Sequence, residues 1–161
     1  MKLITGGVCA AKGFTAGGIH CGIRKNHTKK DLAMVFSSVS ASAAAVYTTN
    51  LVKGAPLTVT KEHLANGKAR AVICNSGNAN TCNADGIEIA EAMCAETAKV
   101  LGISPAEVIV ASTGVIGQSL DLTPIKAALP TLAASLSETG SDDAAAAIMT
   151  TDTVDKQAAV E

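Results

Sequence analysis

Apolar residues recur along this chain with two different periods, and each period predicts an element. Asp31-Leu32-Ala33-Met34-Val35-Phe36-Ser37-Ser38-Val39 and Ala43-Ala44-Ala45-Val46-Tyr47-Thr48-Thr49 read as strands. The short Ser40-Ala41-Ser42 connection between them predicts an antiparallel pair. Ala69-Arg70-Ala71-Val72-Ile73-Cys74 reads as a buried strand that delivers the Asn/Gly-rich loop Asn75-Ser76-Gly77-Asn78-Ala79-Asn80 at its end. From Asp85 the period lengthens: Ile87, Ala90, Met93 or Cys94, Ala98 and Leu101 recur at helical spacing, with Gly86 near the start and Gly102 placed as a C-cap. Ser104-Pro105 predicts a turn before a strand over Glu107–Ala111. Thr123-Pro124 predicts an N-cap with proline at the first helical position, and Ile125, Ala128, Leu129, Leu132 and Leu136 supply that helix's buried face. Pro130 is expected to kink or divide it. Ser141-Asp142-Asp143 caps a last short helix through Ala147, which runs into the Thr-rich Thr150-Thr151-Asp152-Thr153.

Helical and extended stretches mix without a repeat or linker, so the expected architecture is layered α/β or α+β packing. A length of 161 residues suits a single domain over 1–161. Thirteen basic and fourteen acidic residues nearly cancel. With no like-charge block longer than Lys29-Lys30, a nucleic-acid groove or polybasic membrane patch is disfavoured. Phe14, Phe36 and Tyr47 are the only aromatic residues, too few for base-stacking platforms. A small-molecule partner is therefore expected. The five cysteines (Cys9, Cys21, Cys74, Cys82, Cys94) include no Cys-x-x-Cys pair and read as free, buried thiols, so no metal and no cofactor are expected. The opening Met1-Lys2-Leu3-Ile4-Thr5-Gly6-Gly7 has no apolar signal core, and no run approaches the roughly 20 apolar residues of a membrane span. The expectation is a cytoplasmic enzyme.

The candidate chemistry lies in Val108-Ile109-Val110-Ala111-Ser112-Thr113-Gly114-Val115-Ile116-Gly117, where a β-type run feeds into a hydroxyl and a glycine. Thr113 offers a hydroxyl and Gly114 an unobstructed N–H, two donors suited to an oxygen developing negative charge. The plain alternative is an ordinary strand end with turn chemistry. Glu88 and Glu91 lie one helical turn apart and give a solvated face rather than a hydrolytic pair. His20, His27 and His63 lack a local serine or cysteine arrangement. The asparagines after Cys74 read as turn supports.

Three segments together resemble the N-terminal part of the ornithine acetyltransferase (glutamate N-acetyltransferase) family: Cys74–Asn80, the Thr113-Gly114 stretch and Ala147–Thr153. The opening Ala11-Lys12-Gly13-Phe14, Ala16-Gly17-Gly18 and Gly22-Ile23 resemble it too, so the likeness runs nearly end to end. It implies an α-β-β-α sandwich of the self-processing, N-terminal-nucleophile-like kind. It also implies an oxyanion hole at Thr113 and Gly114 and a substrate contact at Thr150. In that family a precursor cleaves itself at an Ala-Thr bond, and the new N-terminal threonine of the β chain attacks the acetyl donor. The sequence ends at Glu161 before such a junction, so the resemblance implies most of an α chain, partnered by a β chain in an α2β2 assembly. The implied reaction is ping-pong transfer of acetyl from N-acetylornithine to glutamate in arginine biosynthesis, with acetyl-CoA a further donor in some members. Two alternatives remain open: a related self-processing aminopeptidase-type hydrolase, and a non-catalytic amino-acid-binding or assembly domain.

Overall fold

The computed structural model describes residues 1–161. Its centre is a four-stranded sheet in the order β2-β3-β4-β5, formed by β2 (Phe14–Ile19), β3 (Leu32–Ser42), β4 (Lys68–Asn75) and β5 (Val108–Ser112). β3 pairs antiparallel with both β2 and β4, whereas β4 and β5 run parallel, Ala71 opposite Val108 through Asn75 opposite Ser112. A parallel pair needs a crossover, and α2 (Gly86–Leu101) supplies it. Both strands of that pair therefore end on the same side of the sheet. A two-stranded antiparallel ribbon, β1 (Leu3–Ile4) with β6 (Ala159–Val160), ties the two ends of the chain together.

Alternation along the strands gives the sheet two unlike faces. Leu32, Met34, Ala71, Ile73, Val108 and Val110 enter the main core with residues of α1 (Ala55–His63), α2 and α3 (Thr123–Ala134). On the other face Ala16 and Ala33 meet Ala144 and Ala147 of α4 (Ser141–Ile148), with Val35 and Cys74 alongside. The expected layered α/β packing takes the form of helices on both faces of one four-stranded sheet. Also present are the buried strand before the Asn/Gly loop, the helix ending at Gly102 (φ 66) and the strand leading to Thr113.

The structure corrects several sequence expectations. β3 is one strand of 11 residues, and Ala43–Thr49 forms no strand, so the hairpin across Ser40-Ala41-Ser42 does not exist. Its register on β4 shifts between Phe36 and Ala41, where Ser37 Oγ donates to Val39 O and the Arg70 guanidinium donates to the carbonyls of Ser37 and Ser38. That bulge lets the strand run on to Ser42 instead of turning. In α2, Ile87 is exposed and Ile89 takes the buried place. Thr123 does not cap α3. It is the first helical residue, and its N–H donates 2.8 Å to Asp121 Oδ1. α3 also continues through Pro130 without dividing. Ser141 does not cap its own helix, because its hydroxyl accepts from Cys9 N–H and donates to Gly6 O, pinning α4 to the N-terminal segment. All five cysteines are free, but only Cys94 is buried; Cys9, Cys21 and Cys74 are half-buried and Cys82 is exposed.

Candidate active site

Strand alternation puts Ile109, Ala111 and then Thr113 on the face opposite the main core. Thr113 there lines a cavity of about 640 Å³, walled mainly by Ala33, Val35, Val72, Cys74, Ala144 and Ala145. Ligands of open α/β sheets bind at such carboxyl ends of parallel strands. Two loops leave β4 and β5 side by side and are stitched together. Thr113 N–H donates to Asn75 O at 3.0 Å, Val115 N–H to Gly77 O at 3.4 Å, and Ala79 N–H to Val115 O at 2.8 Å. Asn75 Nδ2 adds a 2.7 Å bond to Ser112 Oγ.

Gly114 sits at φ 128, a backbone conformation that L side chains rarely adopt. A Cβ there would stand 2.6 Å from Gly77 C and 2.7 Å from Gly77 O, so the two glycines pass in direct backbone contact. The Thr113 hydroxyl and the Gly114 N–H form no hydrogen bond within the chain. Gly114 is exposed and does not itself line the cavity.

The asparagines of the first loop mostly hold it in place, Asn80 Oδ1 alone being buried without a partner. Asn75 Oδ1 accepts from the N–H groups of Gly77 and Asn78. Asn78 Oδ1 accepts from Asn80 N–H, and Asn78 Nδ2 donates to Gln118 O at 2.9 Å. Asn80, with φ 47, donates from Nδ2 to Gly86 O at the start of α2. These side chains are scaffold, as the sequence suggests.

Thr150 is half-buried just past the end of α4. It is not part of the cavity wall, although Ile148, two residues earlier, is. The structure therefore brings Thr113 to the cavity and leaves Thr150 beside the helix end that borders it.

Sequence reading missed the junction behind these loops. Asp31 is fully buried at the start of β3, and its carboxylate accepts from Cys21 N–H at 2.6 Å and Arg24 N–H at 2.9 Å. Burial alone raises the Asp31 pKa, but these two N–H groups, the Cys21 thiol and the His20 charge together hold it below the ordinary carboxylate value. Cys21 goes the other way, pushed up to about 12 by burial and by the Asp31 charge, so it is no nucleophile at neutral pH. Cys74, in the cavity wall, is raised by burial to about 11. His20 lies 3.3 Å from Asp31, with His27 on its other ring nitrogen, but no serine hydroxyl joins them into a triad. His63 bridges Val108 O and Glu91, tying α1 to β5 and α2. The signal for this junction was slight: a lone acid directly before a strand, with Arg24 in a loop of otherwise solvated character.

Fold and site together define a layered α/β protein in which the Thr113 hydroxyl and the Gly114 N–H stand unbonded at the end of a parallel strand. The model of the ArgJ family matches residues 15–161, and the chain belongs to that family. It is 48% identical to the arginine biosynthesis bifunctional protein ArgJ of Symbiobacterium thermophilum over 99% of this chain, and 44% identical to that of Bacillus subtilis over 98%. The chain spans 40% and 38% of the lengths of those two relatives. Among solved structures, ornithine acetyltransferase of Mycobacterium tuberculosis complexed with ornithine aligns with a TM-score of 0.92 at 38% identity, covering 98% of this chain and 86% of that one. The arginine biosynthesis bifunctional protein of Bacillus halodurans aligns at 0.89 and 41% identity, covering 98% and 83%.

Proposed function

We propose that residues 1–161 are one chain of a two-chain acetyltransferase of arginine biosynthesis, moving acetyl from N-acetylornithine to glutamate in the cytoplasm. The observation that carries this reading is the Thr113-Gly114 strand end. Its hydroxyl and N–H are unspent, and the φ 128 glycine lies against Gly77 where no side chain fits. Membership of the ArgJ family and the likeness to an ornithine acetyltransferase complexed with ornithine support this reading.

In this mechanism a threonine hydroxyl from the β chain of the same precursor adds to the acetyl carbonyl carbon of N-acetylornithine. A C–O bond forms, and the carbonyl electron pair moves onto oxygen. Thr113 Oγ–H and Gly114 N–H donate to that oxygen, stabilising charge that the ground state lacks. Collapse breaks the C–N bond, and the departing nitrogen takes the proton released by the threonine. Glutamate's neutral amine then attacks the acetyl ester: a C–N bond forms, the ester C–O bond breaks, and the amine's proton returns to the threonine oxygen, with the same donors serving this second half of the ping-pong cycle. Two such α–β pairs form the α2β2 assembly. Acetyl-CoA enters the first half-reaction by the same attack, with a thiol as leaving group.

Thr150 is read as a substrate contact, its hydroxyl able to donate or accept. Thr150→Ala in the complete enzyme is expected to lower kcat/KM by roughly tenfold, the equivalent of one hydrogen bond to a polar substrate. Steady-state kinetics with varied N-acetylornithine and varied glutamate check this. Wild-type values for both substrates would reduce Thr150 to a helix-end residue.

A further inference from the structure

We propose that Arg24 is a positioning residue that sets Thr150 against the Thr113-Gly114 donor pair; this rests on the reading of those residues given above. The Arg24 guanidinium reaches two elements far apart in sequence. Its Nε and Nη2 donate to Ser76 O at 2.9 and 2.6 Å, and Nη2 donates also to Met149 O, the carbonyl immediately before Thr150. Ser76 reinforces the link, its Oγ donating 2.5 Å to Ala147 O in the last turn of α4. One side chain thus joins the loop after β4 to the segment that carries Thr150.

The other end of the linkage reaches Gly114 by packing. A Cβ on Gly77 would stand 2.4 Å from Ile23 Cγ2 and 3.4 Å from Arg24 Cγ, and a Cβ on Gly114 would stand 2.6 Å from Gly77 C. Ile23 and Arg24 press on Gly77, and Gly77 abuts Gly114. Arg24 is itself held from behind, because its N–H is bound by the buried Asp31 carboxylate while Asp31 O accepts from Ser76 N–H at 2.9 Å. A planar fork of fixed donors suits this task better than a flexible ammonium.

The donor pair keeps its own support, since Thr113 N–H is bound to Asn75 O and Val115 N–H to Gly77 O whether or not the guanidinium is present. Losing Arg24 therefore frees Thr150 first. In the complete, processed enzyme, Arg24→Ala should raise KM for N-acetylornithine roughly tenfold through misplacement of a substrate contact. Its kcat should stay within roughly threefold of wild type, because the transition-state donors remain. If Arg24 acts through Thr150, Arg24→Ala combined with Thr150→Ala should show the same KM as Thr150→Ala alone. Arg24→Lys, able to reach one of the two carbonyls, should give an intermediate KM and serves as the test if the alanine variant does not fold.

A wild-type KM in Arg24→Ala or Arg24→Lys, or independent effects of the two substitutions in the double variant, would overturn the positioning role. Thr150→Ala with a raised KM beside an unaffected Arg24→Ala defeats this inference alone. Wild-type kinetics in Thr150→Ala defeat the substrate-contact reading as well.

Discussion

Thr113→Ala in the complete, processed enzyme should lose roughly two orders of magnitude in acetyl transfer, the usual cost of one oxyanion donor. The β4–β5 pairing does not depend on the side chain, because the bond to Asn75 O comes from the Thr113 backbone N–H. Assembly and thermal stability should therefore match wild type while turnover falls. Thr113→Ser keeps the hydroxyl and should retain more activity than the alanine variant. Gly114→Ala mixes two effects: it strains a φ of 128 and drives a Cβ to 2.6 Å from Gly77 C, so its loss of activity reports the turn as well as the N–H. Equal transfer rates for wild type and Thr113→Ala would make this segment an ordinary strand end.

The largest stability effects should come from the seam between α4 and β2. An added Cβ at Gly140 would lie 1.8 Å from Ala16 O, and one at Gly18 would lie 2.1 Å from Asp143 O. Both obstacles are backbone, and Ala16 O is already accepting from Ser137 N–H at 3.1 Å, so neither can step aside cheaply. Gly140 has an ordinary φ of −82, which makes its penalty one of space alone. Gly140→Ala or Gly18→Ala should destabilise the fold by about 3 kcal/mol or more, the upper range of overpacking. For a chain of this size that lowers Tm by roughly 10 °C, readable by calorimetry or circular dichroism. Because α4 forms one wall of the cavity and leads to Thr150, the same variants should lose substrate affinity while still folded at low temperature.

The parts of the fold legible in the sequence were those whose signal is local. α2 announced itself through its apolar spacing and Gly102, β4 and β5 through short runs of apolar residues, and α4 through the acidic Asp142 and Asp143 of its first turn, although Ser141 proved to be no cap. What escaped had its reason elsewhere in the molecule. β2 contains Gly17 and Gly18, poor strand formers: α4 lies directly on Gly18, whereas Gly17 faces Leu132 near the end of α3 and Ser135 and Leu136 just after it. α1 was overlooked because Thr58, Val59 and Thr60 favour strands and nine residues give little periodicity, although Pro56 in its first turn was a usable start signal. The false hairpin arose from Ala43–Thr49, whose composition suits a strand but which finds no partner strand; Val46 is fully exposed there.

The site divides in the same way. Thr113 could be placed by strand alternation, since residues 109, 111 and 113 share a face. The junction of Asp31, Arg24 and Ser76 could not, because Arg24 meets carbonyls 52 and 125 residues away and no spacing rule connects them. Such a contact is visible only once the start of β3 lies beside the end of β4, Leu32 opposite Asn75, and α4 packs on that face of the sheet.

The central claim is that this chain supplies donors and substrate contacts to a reaction whose nucleophile lies on another chain. Acetyl transfer from N-acetylornithine to glutamate should be measured for residues 1–161 alone, for the complete gene product, and for the two chains expressed together as separate polypeptides. Residues 1–161 should give no transfer, the processed product should turn over, and supplying the β chain should restore turnover together with co-purification. Robust transfer by residues 1–161 alone, or two products that neither associate nor react, would contradict it.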